Sequence, residues 1–389
     1  MRNKILAFLL IISGVMQAQH SVNFREGSAT EIMQLAKKEN KPVFYMFYAS
    51  WCAHCNKMKA EVMTDSLVAD FYNKNFICAK QDMEAGPGIE LRQRLNVKTY
   101  PTFVFFNTAG EVLYRITGEF KVAEFILEGQ NALDPKKQFT NLKTQFLADV
   151  SNADNALAYI SAFRKAGMDS NANDVAKKYL ATQTEAQLVS AMNWKIIANG
   201  LQDIDSREFQ YVLKNQKEFA AVSSPIRVEK KIVYMVNTNL SPAVEASDTI
   251  AYFKKRPFAA AIHLAKTDSL IFNYDIRILE NTKNWKAFRK ATSESVPKYA
   301  WKNAAQLKEI AMAYMNNITD NKALKDAIAW AERSLELKDS YDVYIILARL
   351  NLKTGNKSAA KDWAEKGKKL ALSYQWDTKQ ADEIINQIN

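Results

Sequence analysis

Cys52 and Cys55 are the residues whose type and spacing best indicate chemistry, and they lie in the pentapeptide WCAHC. Two cysteines separated by two residues either form a disulfide that can open and close or supply half of a metal site. An apolar run, Val43 to Tyr48, precedes the pair, and a helix-like segment, Asn56 to Tyr72, follows it. This order predicts that Cys52 lies at a helix N-terminus, where free N–H groups and the helix dipole stabilise a thiolate. Cys52 is therefore the predicted nucleophile and Cys55 the predicted resolving thiol.

The remaining candidate ligands favour the redox interpretation. A zinc site needs two further ligands, and the chain offers Cys78, His20 and His263 at scattered positions. Haem attachment needs a histidine directly after the second cysteine, and that position is Asn56. We therefore expect no metal and no cofactor, with Cys78 as a buried thiol in a strand. With only three cysteines in 389 residues, the pair is expected to be catalytic rather than structural.

His54 lies between the two cysteines and can tune them. An imidazolium, or the dipole of a neutral ring N–H, stabilises a nearby Cys52 thiolate and with it the reduced form of the pair. The couple then becomes more oxidising. A solvent-facing histidine without a role is the alternative.

Tyr100-Pro101-Thr102 is the third element of the predicted site. A proline directly before an apolar strand does not fit inside a sheet. With a cysteine pair earlier in the chain, we expect a cis Tyr100–Pro101 bond beside the disulfide. An ordinary turn proline is the alternative.

The elements that must position these residues follow from residues 21–132, where strand-like and helix-like patterns alternate. The predicted helices cover 28–39, 56–72, 89–95 and 122–130, and the predicted strands cover 43–49, 76–83, 102–106 and 111–117. Glycines and prolines mark the turns between them. This order predicts an α/β domain with a mixed sheet and helices on both faces.

From about residue 136 onward the strand signals disappear and helical periodicity dominates. The sequence Trp-Ala-Glu occurs at 330–332 and again at 363–365, a spacing of 33 residues, and each copy follows a helix–turn–helix pattern. A period of this length built from two helices resembles a tetratricopeptide repeat. We predict repeat-like helices over 300–389 and a helical region of unassigned architecture over 136–299. An irregular helical bundle is the alternative.

Three features occur in order over residues 21–132: WCAHC after an apolar strand, the segment Tyr100-Pro101-Thr102, and Gly118 after the fourth strand. In these features the chain resembles the thioredoxin fold family, and most of all exported bacterial thioredoxin-like proteins, including the reducing domains of thiol–disulfide interchange proteins. The resemblance implies that Trp51 shields the cysteine pair and that Pro101 packs on the disulfide. It also implies that the backbone at Tyr100 pairs with an extended substrate strand.

One position departs from the thioredoxin pattern. Thioredoxins carry a buried acid six residues before the first cysteine, and here that position is Met46. The strand lysine that neighbours the acid is matched by Lys80, which would favour a nearby thiolate. Without the carboxylate we expect slower deprotonation of Cys55, and the sequence CAHC also resembles the CGHC of protein disulfide isomerases. Both features favour an isomerase or mildly oxidising role, while the direction of electron flow stays open.

The N-terminus has the three-part pattern of an export signal. Arg2 and Lys4 are basic, Ile5 to Ile12 is an apolar core too short to span a bilayer, and Ala18 is a plausible cleavage point. A retained anchor or a buried first helix is the alternative. The pattern predicts a signal peptide and, without a terminal retention signal, a periplasmic protein. The net charge of +11 comes from scattered lysines and arginines, so no nucleic-acid partner is expected.

The predicted organisation is a signal peptide over 1–18, a thioredoxin-like domain over 19–132, helices over 136–299 and tetratricopeptide-like helices over 300–389. The predicted function is that of an exported thiol–disulfide oxidoreductase, a reductase or isomerase, acting on protein disulfides. Its expected partners are disulfide-containing client proteins, an upstream thiol–disulfide electron donor or acceptor, and a protein bound by the helices. The alternative is an interaction scaffold, in which the helices bind the partner and the redox domain only docks or senses.

Overall fold

The computed structural model describes residues 21–388, so the predicted signal peptide over 1–18 lies outside the described residues. Contacts within the chain divide it into two compact units, the first ending at Leu201 and the second beginning at Gln202. The helical region predicted over 136–299 spans this division. No helix between residues 21 and 388 combines the length and the apolar character that crossing a bilayer requires.

A four-stranded mixed sheet organises the first unit. Its strands are β1 (Val43–Tyr48), β2 (Ile77–Asp82), β3 (Thr102–Phe106) and β4 (Val112–Thr117), in the spatial order β2-β1-β3-β4. β1 is parallel to β2 and antiparallel to β3, and β3 is antiparallel to β4. The central strand β1 is buried along most of its length, as a strand covered on both faces must be. The predicted α/β class is confirmed.

The helices between and after these strands are α1 (Ala29–Glu39), α2 (Ala53–Lys57), α3 (Ser66–Asn75), α4 (Gly88–Arg94) and α5 (Val122–Leu133). The single helix predicted over 56–72 is wrong. α2 passes into a π-helical turn at Met58–Val62, and the helix ends there. Asp65 begins a new helix, because its carboxylate accepts hydrogen bonds from the N–H groups of Leu67 and Val68 at 2.9 and 3.3 Å.

Aromatic side chains fill the core on one face of the sheet. The buried rings include Phe44, Tyr72, Phe103, Phe105 and Phe125. The rings of Tyr72 and Phe125 stack with 4.7 Å between their centroids. Burial of one such side chain stabilises the fold by roughly 1.5–3 kcal/mol. Cys52 and Cys55 belong to the same core, so the predicted site is packed against the interior of the domain.

Helices continue the first unit beyond the sheet. They are a 3₁₀ turn (Pro135–Lys137), α6 (Phe139–Ala148), α7 (Ala153–Lys165), α8 (Asp169–Leu180), α9 (Glu185–Leu188) and α10 (Ala191–Gly200). The end of α7 lies against the end of β4, where the Thr117 hydroxyl donates to the Lys165 carbonyl at 3.3 Å. The Lys165 ammonium also pairs with Glu128 of α5 at 2.8 Å. These contacts place α7 in the same unit as the sheet.

The second unit is described as eleven helices within residues 202–388. They are α11 (Arg207–Lys214), α12 (Gln216–Val222), α13 (Pro225–Glu245), α14 (Thr249–Ala260), α15 (Ala265–Asn281), α16 (Trp285–Tyr299), α17 (Ala304–Asn317), α18 (Asn321–Leu337), α19 (Tyr341–Lys353), α20 (Lys357–Ser373) and α21 (Lys379–Ile388). The two predicted helix pairs correspond to α17 with α18 and α19 with α20, and the members of each pair are in contact.

The two repeated tryptophans pack between helices of these pairs. Trp330 is buried and meets the Tyr314 ring edge to face at 5.1 Å, and Trp363 is half-buried with the Tyr344 ring 6.0 Å away. Gly367 allows α20 to approach α19, because a Cβ atom there would lie 2.9 Å from the Cβ of Tyr344. Both tryptophans therefore help to pack the two helices of their pair. The assignment to tetratricopeptide-like repeats stays a prediction.

Candidate active site

Cys52 and Cys55 form a disulfide at the start of α2, with 5.2 Å between their Cα atoms. Cys52 is the N-cap residue of α2, as predicted, and the N–H of Cys55 donates to Cys52 Sγ at 3.1 Å. This N–H is one of the groups that a helix terminus leaves free, and it stabilises a thiolate on Cys52 after reduction. Cys52 retains 4% exposure, whereas Cys55 has 0%. Both residues are buried, but Cys52 retains a small exposed fraction and Cys55 retains none.

The turn between β1 and α2 places the pair at the end of the central strand. The N–H of Cys52 donates to the carbonyl of Ala49 at 3.1 Å, and the N–H of Asn56 donates to the carbonyl of Cys52 at 3.0 Å. The Ser50 hydroxyl donates to the carboxylate of Asp82, the last residue of β2. The turn is therefore fixed to both parallel strands.

Trp51 lies beside the pair with 72% of its surface exposed. Its Nε1–H donates to Glu84 Oε2 at 2.7 Å, and its ring meets the Tyr100 ring edge to face at 6.2 Å. Arg92 pairs with Glu84 at 3.5 Å and donates to the Tyr100 hydroxyl at 3.4 Å. These contacts orient an indole that is largely open to solvent. The sequence predicts Trp51 and Tyr100 as site residues but not Glu84 and Arg92, because charged residues in surface segments form no motif.

The Tyr100–Pro101 peptide bond is cis, as predicted. Pro101 is buried, and its carbonyl accepts a hydrogen bond from the N–H of Gly118 at 3.0 Å. Gly118 has φ of +107°, a conformation that glycine adopts without a steric penalty. On the other side, the Thr102 hydroxyl donates to the Thr99 carbonyl at 2.7 Å. The loop before β3 is thereby fixed to the segment that follows β4.

A cleft of about 870 Å³ adjoins the cysteine pair. Its lining includes Trp51, Cys52 and His54 from the cysteine turn and residues 96–100 from the loop before β3. The cleft therefore brings together four of the predicted site residues, since Tyr100 belongs to that loop. An extended peptide that enters the cleft meets Cys52.

His54 contacts a residue that sequence analysis missed. Its Nδ1 lies 2.8 Å from Glu119 Oε2, and the other oxygen of the same carboxylate accepts a hydrogen bond from the Lys57 ammonium. The hydrogen bonds from Lys57 and His54 hold the pKa of Glu119 below its usual range, and Glu119 in turn raises the pKa of Lys57. The one signal in the sequence is that Glu119 directly follows Gly118.

Met46 and Lys80 face each other across the β1–β2 register. Met46 is buried in the core that contains both cysteines, so an apolar thioether fills the position that the resemblance assigns to an acid. Lys80 is exposed, and its ammonium lies 5.4 Å from the centre of the Phe24 ring. The residues that line the cleft do not include Lys80. Its tuning role stays a prediction.

Cys78 is a free thiol buried in β2, as predicted. Burial raises the pKa of Cys78 to about 12, so the thiol keeps its proton near neutral pH. Within residues 21–388, no group of three or more His, Cys, Asp and Glu side chains is arranged to hold a metal ion. His20, a candidate ligand in the sequence, lies outside the described residues.

The sequence profile of one family, described as a thioredoxin-like domain, matches residues 30–132. Residues 30–132 are a thioredoxin-like domain. This range contains the whole sheet, the helices α2 to α4, all of α1 except its first residue, the cysteine pair and the cis-proline. The resemblance to the thioredoxin fold family, which rests on WCAHC, Tyr100-Pro101-Thr102 and Gly118, is confirmed.

Relatives of this chain include proteins named for disulfide chemistry. Protein disulfide-isomerase A5 of Mus musculus is 28% identical over 112 residues, which are 28% of this chain and 21% of that protein. Thiol:disulfide interchange protein DsbD of Salmonella typhimurium is 30% identical over 114 residues, which are 28% of this chain and 20% of that protein. The chain spans about a fifth or less of the length of the curated relatives it matches first.

Among solved structures, the chain is similar to a putative disulphide-isomerase from Bacteroides thetaiotaomicron. The two sequences are 37% identical, and the match covers 30% of this chain and 95% of that one, with a TM-score of 0.28. A thioredoxin from Thermus thermophilus is 29% identical and covers 28% of this chain and 87% of that one, with a TM-score of 0.27.

Proposed function

We propose that this chain is an exported thiol–disulfide oxidoreductase that reduces or isomerises the disulfides of client proteins. The observation that carries the proposal is the position of the two cysteines: Cys52 borders the cleft, and Cys55 is fully buried. This arrangement lets one sulfur react with a client while the second resolves the product. The names of two relatives, a protein disulfide-isomerase and a thiol:disulfide interchange protein, support this chemistry.

In the reducing direction the reaction starts with both cysteines as thiols. The Cys52 thiolate attacks one sulfur of the client disulfide, so a Cys52–client S–S bond forms and the other client sulfur leaves as a thiolate. Cys55 then loses its proton and attacks Cys52 Sγ, which releases the second client thiolate. The client disulfide gains two electrons and, after protonation, becomes two thiols, while the Cys52–Cys55 pair loses two electrons. A thiol–disulfide donor must return two electrons to the pair.

We infer that the client's extended segment lies in the cleft and pairs with the backbone at Tyr100. The cis-proline loop and Trp51 line the cleft together with Cys52, and this shared lining supports the inference. Backbone pairing gives affinity without selecting a sequence, as a protein with many clients requires. His54 and Lys80 are proposed to tune the Cys52 thiolate.

We further infer that the pair favours isomerisation or mild oxidation over fast reduction. Met46 places no proton acceptor beside the buried Cys55, so resolution by Cys55 should be slow and the mixed disulfide long-lived. A long-lived mixed disulfide gives a client time to rearrange its own disulfides. The decisive measurement is the equilibrium of the pair with glutathione. A potential of about −180 mV would indicate an isomerase or oxidant, and a potential of about −270 mV would indicate a reductase.

The direct test of the proposal is the Cys52→Ser variant in insulin reduction and in the refolding of scrambled ribonuclease. We expect activity to fall to the uncatalysed rate, because no other reactive thiolate borders the cleft. Cys78→Ala is the matched control, since it also removes one sulfur but from a buried strand position. Full activity in Cys52→Ser would falsify the proposal.

The Cys55→Ser variant separates an enzyme from a scaffold. Without the resolving thiol, the mixed disulfide between Cys52 and a client cannot be released by the protein itself. An oxidoreductase therefore accumulates disulfide-linked clients, whereas a scaffold that binds through its helices does not. We propose that the helices of the second unit bind a protein partner. The trapped complexes would show whether that partner is also a client.

Export is proposed from the N-terminal pattern alone. If the signal is cleaved after Ala18, the mature protein begins at Gln19. N-terminal sequencing of the protein recovered from the periplasmic fraction tests this. A mature chain that still begins at Met1 would contradict cleavage.

A further inference from the structure

Three consecutive residues after β4 each contact a different part of the redox site. The N–H of Gly118 donates to the Pro101 carbonyl at 3.0 Å. The carboxylate of Glu119 contacts His54 and Lys57, and the N–H of Phe120 donates to a sulfur in the π-helical turn, Met58 Sδ, at 3.3 Å. One short segment therefore connects the cis-proline loop to the helix that begins at Cys52.

Glu119 is the acidic member of this segment, and both of its partners follow Cys52 within two helical turns. His54 Nδ1 lies 2.8 Å from one carboxylate oxygen, and the Lys57 ammonium contacts the other. The side chains of His54, Lys57 and Glu119 are 71%, 51% and 30% exposed, so Glu119 is the least exposed of the three. One anion is therefore shared between two groups that can each carry positive charge on the helix that begins at Cys52.

The charged groups nearby, in the cleft and beside Lys57, are arranged differently. Glu84 and Arg92 line it and pair with each other, so they contribute little net charge. Lys98 also lines the cleft, and Glu61 lies near Lys57. Among these groups, Glu119 is the acid whose carboxylate contacts two side chains of the helix that begins at Cys52, so any effect of its charge on Cys52 is coupled to His54 and Lys57.

We propose that Glu119 is a positioning residue that lowers the reduction potential of the Cys52–Cys55 pair by holding His54 and Lys57 and offsetting their positive charge. This inference rests on the proposed function, because it concerns the reduction potential of the same cysteine pair. It assigns to Glu119 a role opposite to the one that His54 has alone. The net potential is then a balance between the helix terminus, Lys57 and His54 on one side and the Glu119 carboxylate on the other.

These charges change the reduction potential through their effect on the Cys52 thiolate. In equilibrium with glutathione, two glutathione thiols give two electrons to the Cys52–Cys55 disulfide, and the products are one glutathione disulfide and the reduced pair. Where Cys52 ends as a thiolate, its proton goes to solvent and Cys55 keeps its own. A positive environment stabilises that thiolate and moves the equilibrium toward the reduced pair. Glu119 opposes this shift.

The test is the Glu119→Gln variant, whose equilibrium with glutathione is measured at pH 7 and low ionic strength. We expect the equilibrium constant to move toward the reduced pair by about two- to fivefold, the range typical of partly exposed charge pairs. Glu111→Gln is the matched control, because it removes the same charge at the opposite end of β4. We expect no shift in that variant.

Two further measurements separate electrostatics from packing. Lys57→Gln should shift the equilibrium constant in the opposite direction, and Glu119→Gln combined with Lys57→Gln should return it close to the wild-type value. In 1 M salt the shift of the single variant should shrink below twofold, because the Debye length falls to about 3 Å. A packing effect would persist in salt and would not be reversed by the second substitution.

Equal constants for Glu119→Gln and Glu111→Gln at low salt would overturn the inference, provided that both variants unfold at the wild-type temperature. If Glu119→Gln unfolds early, Glu119→Asp keeps the charge and should keep the wild-type constant. The proposed function fails separately, because the glutathione equilibrium of the pair can be measured whether or not client proteins are turned over. A shift without catalysis would contradict the function alone, and catalysis without a shift would contradict the inference alone.

Discussion

The cysteines of the first unit share one core but meet different environments. Cys52 borders the cleft, Cys55 is buried one helical turn later, and Cys78 is buried in β2 with its sulfur 3.7 Å from the Tyr72 carbonyl. Reactivity depends on the thiolate and on access to it, and both favour Cys52. Cys78 can therefore serve as an internal reference against which the reactive pair is compared.

Cys78 should make the oxidised protein less stable in alkali. Burial raises the pKa of the folded-state thiol to about 12, whereas the unfolded thiol loses its proton near about pH 8.5. The contribution of Cys78 to stability is complete below about pH 8.5, and above it the contribution falls by about 1.4 kcal/mol per pH unit. Urea unfolding of the wild-type protein and of Cys78→Ala between pH 8 and 10.5 measures the difference. If the unfolding free energies of the two proteins change equally with pH, this expectation is wrong.

At the scale of elements, the ends of β3 and β4 fix the site. Thr102 pairs with Thr117 in the sheet, and the N–H of Gly118 continues this pairing to the Pro101 carbonyl. Glu119 then contacts the helix that begins at Cys52. The two strands thus act as a frame on which the cis-proline loop and the cysteine helix are held together.

Gly118→Ala should affect both stability and the redox equilibrium. Gly118 has φ of +107°, where an alanine is strained although no atom lies within 4 Å of the added Cβ. We expect a loss of about 1–2 kcal/mol in unfolding free energy together with a change in the glutathione equilibrium, because Glu119 follows directly. Gly110→Ala is the control, since Gly110 has φ of +86° at the far end of β4 and meets only an ordinary contact. If the glutathione equilibrium shifts equally in both variants, the ends of β3 and β4 do not fix the redox site in the way described.

The sequence predicted the elements whose signal is local. β1 and β3 were predicted from apolar runs, the cis bond from a proline directly before β3, and the N-cap at Cys52 from the strand–helix order. The break before Asp65 was missed, because apolar spacing continues through it and the cap is a single side chain. Glu119 was missed because its contact with His54 spans 65 positions, and such a contact follows from the arrangement of strands rather than from a motif.

At the scale of the molecule, the thioredoxin-like domain does not end the first unit. Glu128 of α5 is buried, and its carboxylate accepts hydrogen bonds from Lys165 of α7 as well as from Tyr114 and Asn131. Burial raises the pKa of Glu128, but these hydrogen bonds outweigh it and leave the pKa below the usual range. The helices after residue 138 therefore help to stabilise a charge inside the domain.

Lys165→Met should weaken the first unit in a pH-dependent way. The variant leaves Glu128 buried without its cation, and we expect a loss of about 1 kcal/mol at pH 7. Because the pKa of Glu128 is lowered by folding, this contribution is present above about pH 4.3 and is lost as the pH falls below that value. Lys143→Met, at an exposed position of α6, is the control. The stability of both variants relative to the wild-type protein is measured by thermal unfolding at pH 7 and pH 3.5. If the loss of stability in Lys165→Met is as large at pH 3.5 as at pH 7, the assignment to Glu128 is wrong.

Both lateral edges of the sheet contact other segments of the first unit. Beside β2, Phe24 bridges to Cys78 and the N–H of Arg25 donates to the Cys78 carbonyl at 2.7 Å. Beside β4, Thr117 bonds to the end of α7. Open strand edges recruit other chains and promote aggregation. Under the proposed function, a client with unpaired strands would meet these contacts at both edges, and it would pair with the short loop at Tyr100 instead of extending the sheet.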